Sequence, residues 1–488
     1  MKSIFTLNRT GIFSITFSVF LICVYLCLSA VNSLSQGLPV AAPQTVGMSA
    51  AKLNGIDAIV NKDIADKKLP GAVVIVGHKG KIVYRKAFGN RSLVPTVEKM
   101  TVDTIFDVAS LTKPIATATS IMILVEQGKL RLNDTIGKYI TDIDDAEAKK
   151  VTIQQLLTHT SGYRPDFDLG EKWTGNDGML TALKKEKLRN PPGTKFVYSD
   201  IGFIVLGEIV FRVMGDNQHE YFNANLRRAL QITSTFIDPR HRNSVCFNCP
   251  PELVAPTENV KGQSSYLGSK YEGEERAGDV ILRGGVHDPT AFRMYGVAGH
   301  AGLFSNADDL ARYCQLLLNG GVVPDWSQHP AGRASKMLAA PVRILSAQTV
   351  AKMTSPIVVS EDGATRGLGW DMNTAFSSNR GELFPLGSFG HTGFTGTSVW
   401  IDRVSQTFVV FLSNRVHPDG KGDVTPLRAK VATIAASAVE DTPIEMYRLA
   451  ENIYSSQVAA QIPKFKEQVE RNAGFQPAID TRAGCRRS

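Results

Sequence analysis

The chain has 488 residues, of which 43% are hydrophobic and 20% are charged, and its formal net charge at pH 7 is +8. This composition is typical of a globular protein, and the length allows two or three domains or one large α/β fold with an inserted helical part. The basic residues are scattered, with no dense Lys/Arg run and no nucleic-acid-binding motif. We therefore interpret the charge as favouring solubility and expect no nucleic-acid partner.

The N-terminus indicates that the chain leaves the cytoplasm. Lys2 and Arg9 precede a mostly apolar stretch at 11–30, and Ser33-Leu34-Ser35 supplies small residues for cleavage. We expect residues 1–35 to be a signal peptide that is removed. The alternative is an uncleaved membrane anchor, because about 20 apolar residues can span a bilayer. Both interpretations place the body of the protein in the periplasm or outside the cell.

The six cysteines do not indicate a metal site. Cys246 and Cys249 form a lone Cys-x-x-Cys pair, which offers too few ligands for structural zinc, although a local disulfide is compatible with export. Cys314 is interpreted as an inert residue in the core. The spacing of His, Asp and Glu along the chain shows no set of metal ligands, so we expect no metal and no other cofactor.

In chain order, the patterns predict an antiparallel sheet flanked by helices. A linker over 36–48 precedes a helix over 50–67 and a β-hairpin with strands at 72–77 and 82–89. Residues 128–365 are predicted to be mainly helical with long loops. They include a helix capped by Thr152, an apolar helix over 200–210 directly after Tyr198, and an amphipathic helix over 307–318. Four strands follow at 367–372, 388–393, 397–402 and 407–414, and then a helix at 426–439. The expected fold is an α/β (α+β) sandwich with an inserted helical region, and its cleft lies between the two parts.

Residues 106–114 hold a Ser-x-x-Lys pair, Ser110 and Lys113, which is predicted to lie in the first turn of a long apolar helix that continues over 115–126. Residue i+3 lies on the same face of a helix, so Lys113 is predicted to reach the Ser110 hydroxyl. Apolar packing would lower the pKa of Lys113 and let it act as a base. The same pattern recurs at Ser49 and Lys52, where Ser49 is expected to be only a helix cap.

Two further motifs follow, Tyr198-Ser199-Asp200 and His391-Thr392-Gly393. With Ser-x-x-Lys, they resemble the three motifs of the serine β-lactamase and penicillin-binding protein superfamily. The chain is similar to its class C branch over 45–440, a branch that includes class C β-lactamases, DD-peptidases, family VIII carboxylesterases and peptidoglycan-recycling amidases. The sequence departs from the usual pattern twice, since Asp200 stands in place of Asn and His391 in place of Lys.

This resemblance implies a β-lactamase/transpeptidase-like fold and an acyl-enzyme mechanism. Ser110 would be the nucleophile, Lys113 its base or orienting group, and Tyr198 a second base with less help in ionising than a second lysine would give. The oxyanion hole would be formed by the backbone N–H groups of Ser110 and Phe394. His391 is expected to face the substrate and to tune activity through its charge between about pH 5 and 8.

The remaining predicted site residues contact substrate. The resemblance implies this role for Asp200, Thr392 and Gly393, with Gly393 leaving room for the substrate. Glu258 and His287 lie in a long middle insertion, where they would either line the substrate mouth or, as we favour, stabilise a loop through a salt bridge or turn. His159 is interpreted as structural.

The sequence therefore predicts an exported serine hydrolase domain at 49–445, followed by a C-terminal helix and a disordered tail within 446–488. Its substrates would be small esters or amides, including peptidoglycan fragments. One alternative is a β-lactamase or DD-peptidase proper. An alternative of another class is a non-catalytic, penicillin-recognising sensor or scaffold. Membrane association through the N-terminal segment is kept open, and no oligomeric state is predicted.

Overall fold

The computed structural model describes residues 37–216, 218–237, 251–259, 281–323 and 342–474. The predicted signal or anchor segment at 1–35, the Cys246/Cys249 pair and the predicted tail after residue 474 lie outside the described residues. Within the described part of the chain, no helix is both long enough and apolar enough to cross a membrane. Cys314 is free and buried, as the sequence predicts.

The helices of the described chain are short around the nucleophile and longest at the C-terminus. They are α1 Ala50–Leu53, α2 Gly55–Ala65, α3 Thr119–Glu126, α4 Ile136–Tyr139, α5 Ala146–Lys150, α6 Ile153–Leu157, α7 Gly175–Lys185, α8 Asp200–Met214, α9 Gln218–Phe222, α10 Arg228–Leu230, α11 Pro289–Arg293, α12 Ala307–Leu318, α13 Ala347–Met353, α14 Thr425–Ser437 and α15 Ile444–Arg471.

The strands fall at the two ends of the chain and in its middle. They are β1 Gly71–His78, β2 Lys81–Ser92, β3 Glu98–Lys99, β4 Phe106–Asp107, β5 Phe236–Ile237, β6 Leu303–Ser305, β7 Val322–Val323, β8 Val342–Arg343, β9 Ile357–Val358, β10 Thr365–Arg366, β11 Asp371–Asn373, β12 Phe389–Thr392, β13 Ser398–Asp402 and β14 Thr407–Ser413.

The main sheet combines strands from the N-terminal part of the described chain with strands from its C-terminal part. Among the described residues its strand order is β3-β2-β1-β14-β13-β12-β11-β10-β9, and the neighbouring strands are antiparallel. Successive side chains of β1 point to opposite faces. Val73 and Ile75 therefore enter the larger core, while Val74 and Val76 enter a second core under α2 and α14. Burial on both faces explains why β1 is a continuous apolar run.

The fold agrees with the sequence prediction of an antiparallel sheet flanked by helices. The hairpin is present as β1 and β2, and α6 begins at the predicted Thr152 cap, where Thr152 and Gln155 form a reciprocal capping box. The helices predicted at 307–318 and 426–439 are α12 and α14.

Two element predictions are wrong in detail. The helix predicted over 50–67 is interrupted at Asn54, which ends α1 and begins α2. Only the end of the strand predicted at 367–372 is present, as the start of β11 at Asp371, whereas 367–370 form a turn between β10 and β11, where Gly369 has φ +84° and its α-carbon faces the Ala118 side chain. A left-handed backbone of this kind cannot continue a strand, and it favours glycine.

Candidate active site

The predicted nucleophile lies on a tight turn after β4. Ser110 belongs to a short 3₁₀ turn, Ala109–Leu111, and a π-helical segment, Lys113–Ala118, leads from it into α3. Ala109 has φ +48°, and its N–H donates to Asp107 Oδ1 at 2.9 Å. A non-glycine residue in this conformation is strained, and such strain is concentrated at functional sites. Ser110 is therefore presented on a constrained turn, not in the first turn of a long α-helix as predicted.

Lys113 reaches the nucleophile as the motif spacing predicts. Its Nζ donates to Ser110 Oγ at 3.0 Å and to the His300 carbonyl at 3.0 Å, and lies 2.6 Å from Asp200 Oδ1. Burial opposes its charge, but the Asp200 carboxylate and Tyr198 outweigh burial and raise the pKa of Lys113 above its ordinary value. The expectation that this pKa falls is wrong, because the sequence did not show that Asp200 contacts the ammonium.

Tyr198 stands at the entrance of α8, as predicted. Ser199 caps that helix by accepting from the Gly202 N–H at 3.3 Å. The Tyr198 phenol is within hydrogen-bonding reach of Ser110 and Lys113. Burial raises the pKa of Tyr198 more than the Lys113 charge lowers it, so the phenol is neutral at neutral pH.

His159 holds Tyr198 in place. The two rings stack with centroids 4.3 Å apart, and His159 Nδ1 accepts from the Ser199 N–H at 3.0 Å. The His159 side chain is buried, and burial together with the Arg366 charge lowers its pKa well below the ordinary value. The structural role predicted for His159 is confirmed.

An acidic group lies beside Lys113. One carboxylate oxygen of Asp200, one of Asp288 and a ring nitrogen of His300 lie within 4.8 Å of one another. His300 Nε2 is 2.7 Å from Asp288 Oδ1. Although burial opposes it, the nearby Asp288 carboxylate raises the pKa of His300. Burial and the charges of Asp288 and Asp200 raise the pKa of Asp166 to about 7. Sequence spacing did not predict this cluster, because its members come from separate loops and helices.

His391 is placed next to Tyr198, with ring centroids 6.0 Å apart, and is 3% exposed. Its Nδ1 lies 2.8 Å from the Thr392 carbonyl. A carbonyl only accepts, so Nδ1 carries the proton and Nε2 is the acceptor in the neutral ring. Burial, then the charges of Arg366 and Lys113, lower the pKa of His391 well below its ordinary value. The expectation that His391 changes charge between about pH 5 and 8 is contradicted.

The end of β12 is tied to the segment that carries Ser110. The Thr395 hydroxyl donates to the Asp107 carbonyl at 2.7 Å, and the Thr397 hydroxyl donates to the Val108 carbonyl at 3.0 Å. A β-carbon on Gly393 would overlap the same Val108 carbonyl. Gly393 is thus required by close backbone packing, and the room that it would leave for substrate stays a prediction. The oxyanion hole formed with Phe394 stays a prediction.

Glu258 and His287 form the loop-stabilising pair that the sequence analysis favoured. His287 Nε2 lies 2.9 Å from Glu258 Oε2, and both side chains are buried. The His287 N–H also donates to Asp107 Oδ2 at 2.7 Å. Because Asp107 also accepts from the N–H of the strained Ala109, this pair helps to fix the turn that carries Ser110.

Sequence reasoning missed Arg366 and Asp371. The Arg366 side chain is fully buried, and its Nη1 lies 3.4 Å from Asp371 Oδ1. The only signal was a single arginine before the Gly-Leu-Gly-Trp segment at 367–370, which the sequence analysis assigned to a strand. A buried charge in a strand is rare, so this position could have been singled out.

Comparison with known families agrees with this arrangement of residues. The family described as Beta-lactamase matches residues 56–433. The chain belongs to the beta-lactamase family. Its members are serine hydrolases, which fits the Ser110–Lys113 contact and the strained turn that presents the serine.

One sequence relative in the beta-lactamase family is a protein of Escherichia coli O157:H7 named "Putative D-alanyl-D-alanine carboxypeptidase". It is 32% identical over 423 residues, covering 80% of this chain and 90% of the relative. Two solved structures share the fold at 19% identity. A class C beta-lactamase gives a TM-score of 0.59 with 80% of this chain and 98% of that chain covered. EstCE1, a hydrolase with promiscuous acyltransferase activity, gives 0.58 with 79% and 99% covered.

Proposed function

We propose that the chain is an exported serine hydrolase that cleaves ester or amide bonds in small or peptidoglycan-derived substrates through an acyl-enzyme on Ser110. The observation that carries this proposal is the 3.0 Å contact between Lys113 Nζ and Ser110 Oγ, with the Tyr198 phenol in reach of both. The carboxypeptidase name of the sequence relative and the hydrolase activity named for EstCE1 support the range of substrates.

The acylation step follows from the charges of the site. In the minor fraction of molecules in which Tyr198 is ionised, Ser110 Oγ attacks the carbonyl carbon while its proton passes to the Tyr198 phenolate, and the carbonyl π electrons move onto the carbonyl oxygen. The Lys113 ammonium, held by Asp200, stabilises the negative charge that develops on Oγ. The tetrahedral intermediate then collapses, and the leaving group departs with the proton from Tyr198. Water repeats this sequence on the acyl-enzyme and releases the acid.

Two exposed aromatic side chains border the site. Phe376 and Phe394 are each 46% exposed. The Phe376 ring lies 5.2 Å from the Tyr198 ring, and Phe394 packs between His287 at 5.7 Å and Arg415 at 4.5 Å. Large apolar side chains beside a nucleophile favour substrates with an apolar acyl or leaving group. This observation favours esters with apolar groups within the proposed range.

The nucleophile is tested by labelling the protein with a fluorophosphonate probe and mapping the modified peptide by mass spectrometry. We expect the label on Ser110 and none in Ser110→Ala, while Ser49→Ala is the matched control that retains labelling. A label that survives Ser110→Ala would contradict the assignment. A folded protein that takes no label would favour the penicillin-recognising sensor.

The substrate class is tested with a hydrolysis panel on the purified protein. The panel contains a neutral apolar ester, a D-alanyl-D-alanine peptide, a muropeptide and a β-lactam. We expect the apolar ester to be cleaved, and cleavage of the D-alanyl-D-alanine peptide would select a DD-carboxypeptidase within the proposal. Rapid turnover of the β-lactam alone would favour a β-lactamase instead.

Export is tested by sequencing the N-terminus of the protein recovered from cells. The charged and then apolar character of residues 2–30 supports export, and we expect the mature chain to begin shortly after Ser35. Recovery of intact residues 1–30 in the membrane fraction would instead show an anchor.

A further inference from the structure

Arg366, at the end of β10, is a buried charge that the proposed mechanism does not use. Its side chain is 0% exposed, and the 3.4 Å separation from Asp371 Oδ1 is long for a hydrogen bond. Among the described residues, nothing accepts a hydrogen bond from its Nε or its Nη2. Buried guanidinium groups are normally paired, so this one requires an explanation.

The nearest carboxylate neutralises Arg366 only in part. Asp371 accepts from the Thr374 hydroxyl and from the Ser377 hydroxyl, each at 2.8 Å. These short hydrogen bonds hold the Asp371 oxygens toward the turn that follows β11. The positive charge of Arg366 is therefore only partly compensated, and its electric field also acts on the groups that lie away from Asp371.

Those groups are the aromatic rings that surround Tyr198. The guanidinium carbon of Arg366 lies 5.5 Å from the Phe196 ring centroid. Phe196 meets His159 edge-on at 6.3 Å, and His159 stacks on Tyr198 at 4.3 Å. Charges separated by packed rings interact strongly, because little water lies between them to screen the field.

Tyr198 is faced by ionisable groups from several elements. Lys113 faces it from the turn after Ser110, and Asp200, from α8, balances the Lys113 charge by contact at 2.6 Å. His159 and His391 carry no charge at neutral pH, because burial and nearby cations lower the pKa of each well below its ordinary value.

Arg366 is a further cation whose charge interacts with Tyr198. We propose that Arg366 is a positioning residue. From the far side of the Phe196 ring, it supplies the fixed positive charge that a lysine at position 391 would carry and that the neutral His391 does not. This inference rests on the proposed function. Arg366 does not touch substrate, and it acts by favouring the ionised form of Tyr198, the form that takes the proton from Ser110.

The test is the pH dependence of kcat/KM for p-nitrophenyl butyrate between pH 5.5 and 9.5. Below the pKa of a phenol, its ionised fraction rises tenfold for each pH unit. We expect Arg366→Gln to lower kcat/KM at pH 7 about tenfold, through kcat and not KM, and to move the rising limb to higher pH. Arg366→Lys should keep the limb in place, and the double variant Arg366→Gln/His391→Lys should recover most of the loss.

Arg403 provides the matched control. It is a partly buried arginine that donates to the Thr354 hydroxyl and packs over Phe389, outside the site. Arg403→Gln should lower stability without moving the pH limb. An Arg366→Gln curve that superimposes on that of Arg403→Gln, or a double variant no more active than Arg366→Gln, would overturn the proposal.

If Arg366→Gln does not fold, Asp371→Asn tests the same electrostatic effect in the opposite direction, because it removes the negative charge that partly compensates Arg366. Removing the carboxylate that faces Arg366 should raise kcat/KM at pH 7 about threefold, and an unchanged curve would overturn the proposal. Ser110→Ala separates this result from the proposed function. If Ser110→Ala hydrolyses the ester like wild type, the proposed function fails, whereas flat responses of the other variants with an inactive Ser110→Ala overturn the role of Arg366 alone.

Discussion

His300 and His391 are both buried, and each lies beside one member of the pair formed by Lys113 and Tyr198: the His300 carbonyl accepts from Lys113 Nζ at 3.0 Å, and the His391 and Tyr198 ring centroids are 6.0 Å apart. His300 lies 2.7 Å from Asp288, which raises its pKa although burial opposes the charge. In the part of the chain that the structure describes, no carboxylate is among the groups that shift the pKa of His391, and burial together with two cations lowers that pKa well below its ordinary value. The same residue type therefore has a raised pKa beside Asp288 and a lowered pKa beside Arg366 and Lys113.

Because both histidines are buried, their different charged neighbours account for the opposite directions of their pKa shifts. On the His300 side, each cation has a carboxylate in contact, including Lys113 with Asp200. On the His391 side, the ion pair between Arg366 and Asp371 is long, at 3.4 Å. Substitutions that remove one charged member of a pair therefore test whether the charged neighbours cause the difference between the two histidines.

The largest effect is expected from Lys113→Met, which removes the cation that contacts Ser110. Without the ammonium, Ser110 loses the group that stabilises its developing charge, and Asp200 is left without a counter-charge. We expect kcat/KM for an apolar ester to fall by about 10³-fold or more, the scale of losing a catalytic group. The matched control is Lys52→Met in the other Ser-x-x-Lys sequence, which should stay within about twofold of wild type.

Asp200→Asn is expected to move the pH profile. The Asp200 charge raises both the pKa of Lys113 and the pKa of Tyr198, so the amide should lower both. The rising limb of kcat/KM against pH should shift to lower pH by about one unit, the usual scale for a contacting charge. A profile that coincides with wild type would show that the carboxylate does not control these groups.

Much of the site was predictable because its motifs are local. Ser110 and Lys113 are three residues apart, and Tyr198 precedes an apolar helix that begins at a capping serine. The charge states were not predictable in this way. Lys113 keeps its proton because Asp200 arrives from α8, and His391 loses its proton partly because Arg366 arrives from β10.

The same distinction applies to the fold. The β1–β2 hairpin and the Thr152 cap of α6 depend on neighbouring residues, and both were predicted. The first part of the strand expected at 367–372 is absent because of a distant contact, in which Gly369 packs against Ala118 with a left-handed backbone. A single sequence shows the glycine, but it does not show which residue the glycine meets.

The smallest expected effects are on stability, and they have opposite pH dependence for the two histidines. A raised pKa in the folded protein stabilises below the unfolded pKa, and this gain is lost as pH rises through the folded pKa. His300→Gln should therefore cost more at pH 5.5, about 3 kcal/mol for one partner of a buried pair, than at pH 9.

For His391 the sign is reversed. Its pKa is lowered in the folded protein, so the unfolded chain binds the proton first and wild type loses stability as the pH falls below about 6.5. His391→Gln removes this loss and should gain about 1 kcal/mol relative to wild type between pH 8 and pH 5.5. Urea unfolding at the two pH values measures both variants, and parallel changes in the two would contradict the comparison.

The most direct test of the account is NMR of the wild-type protein labelled with ¹⁵N in its histidine rings, titrated between pH 5 and 8. The signals are assigned with His300→Gln and His391→Gln. The account predicts that His300 has both ring nitrogens protonated at pH 6, whereas His391 keeps only Nδ1 protonated throughout and shows no titration. A His391 signal that titrates within this range, or a neutral His300 at pH 6, would contradict the asymmetric charge arrangement.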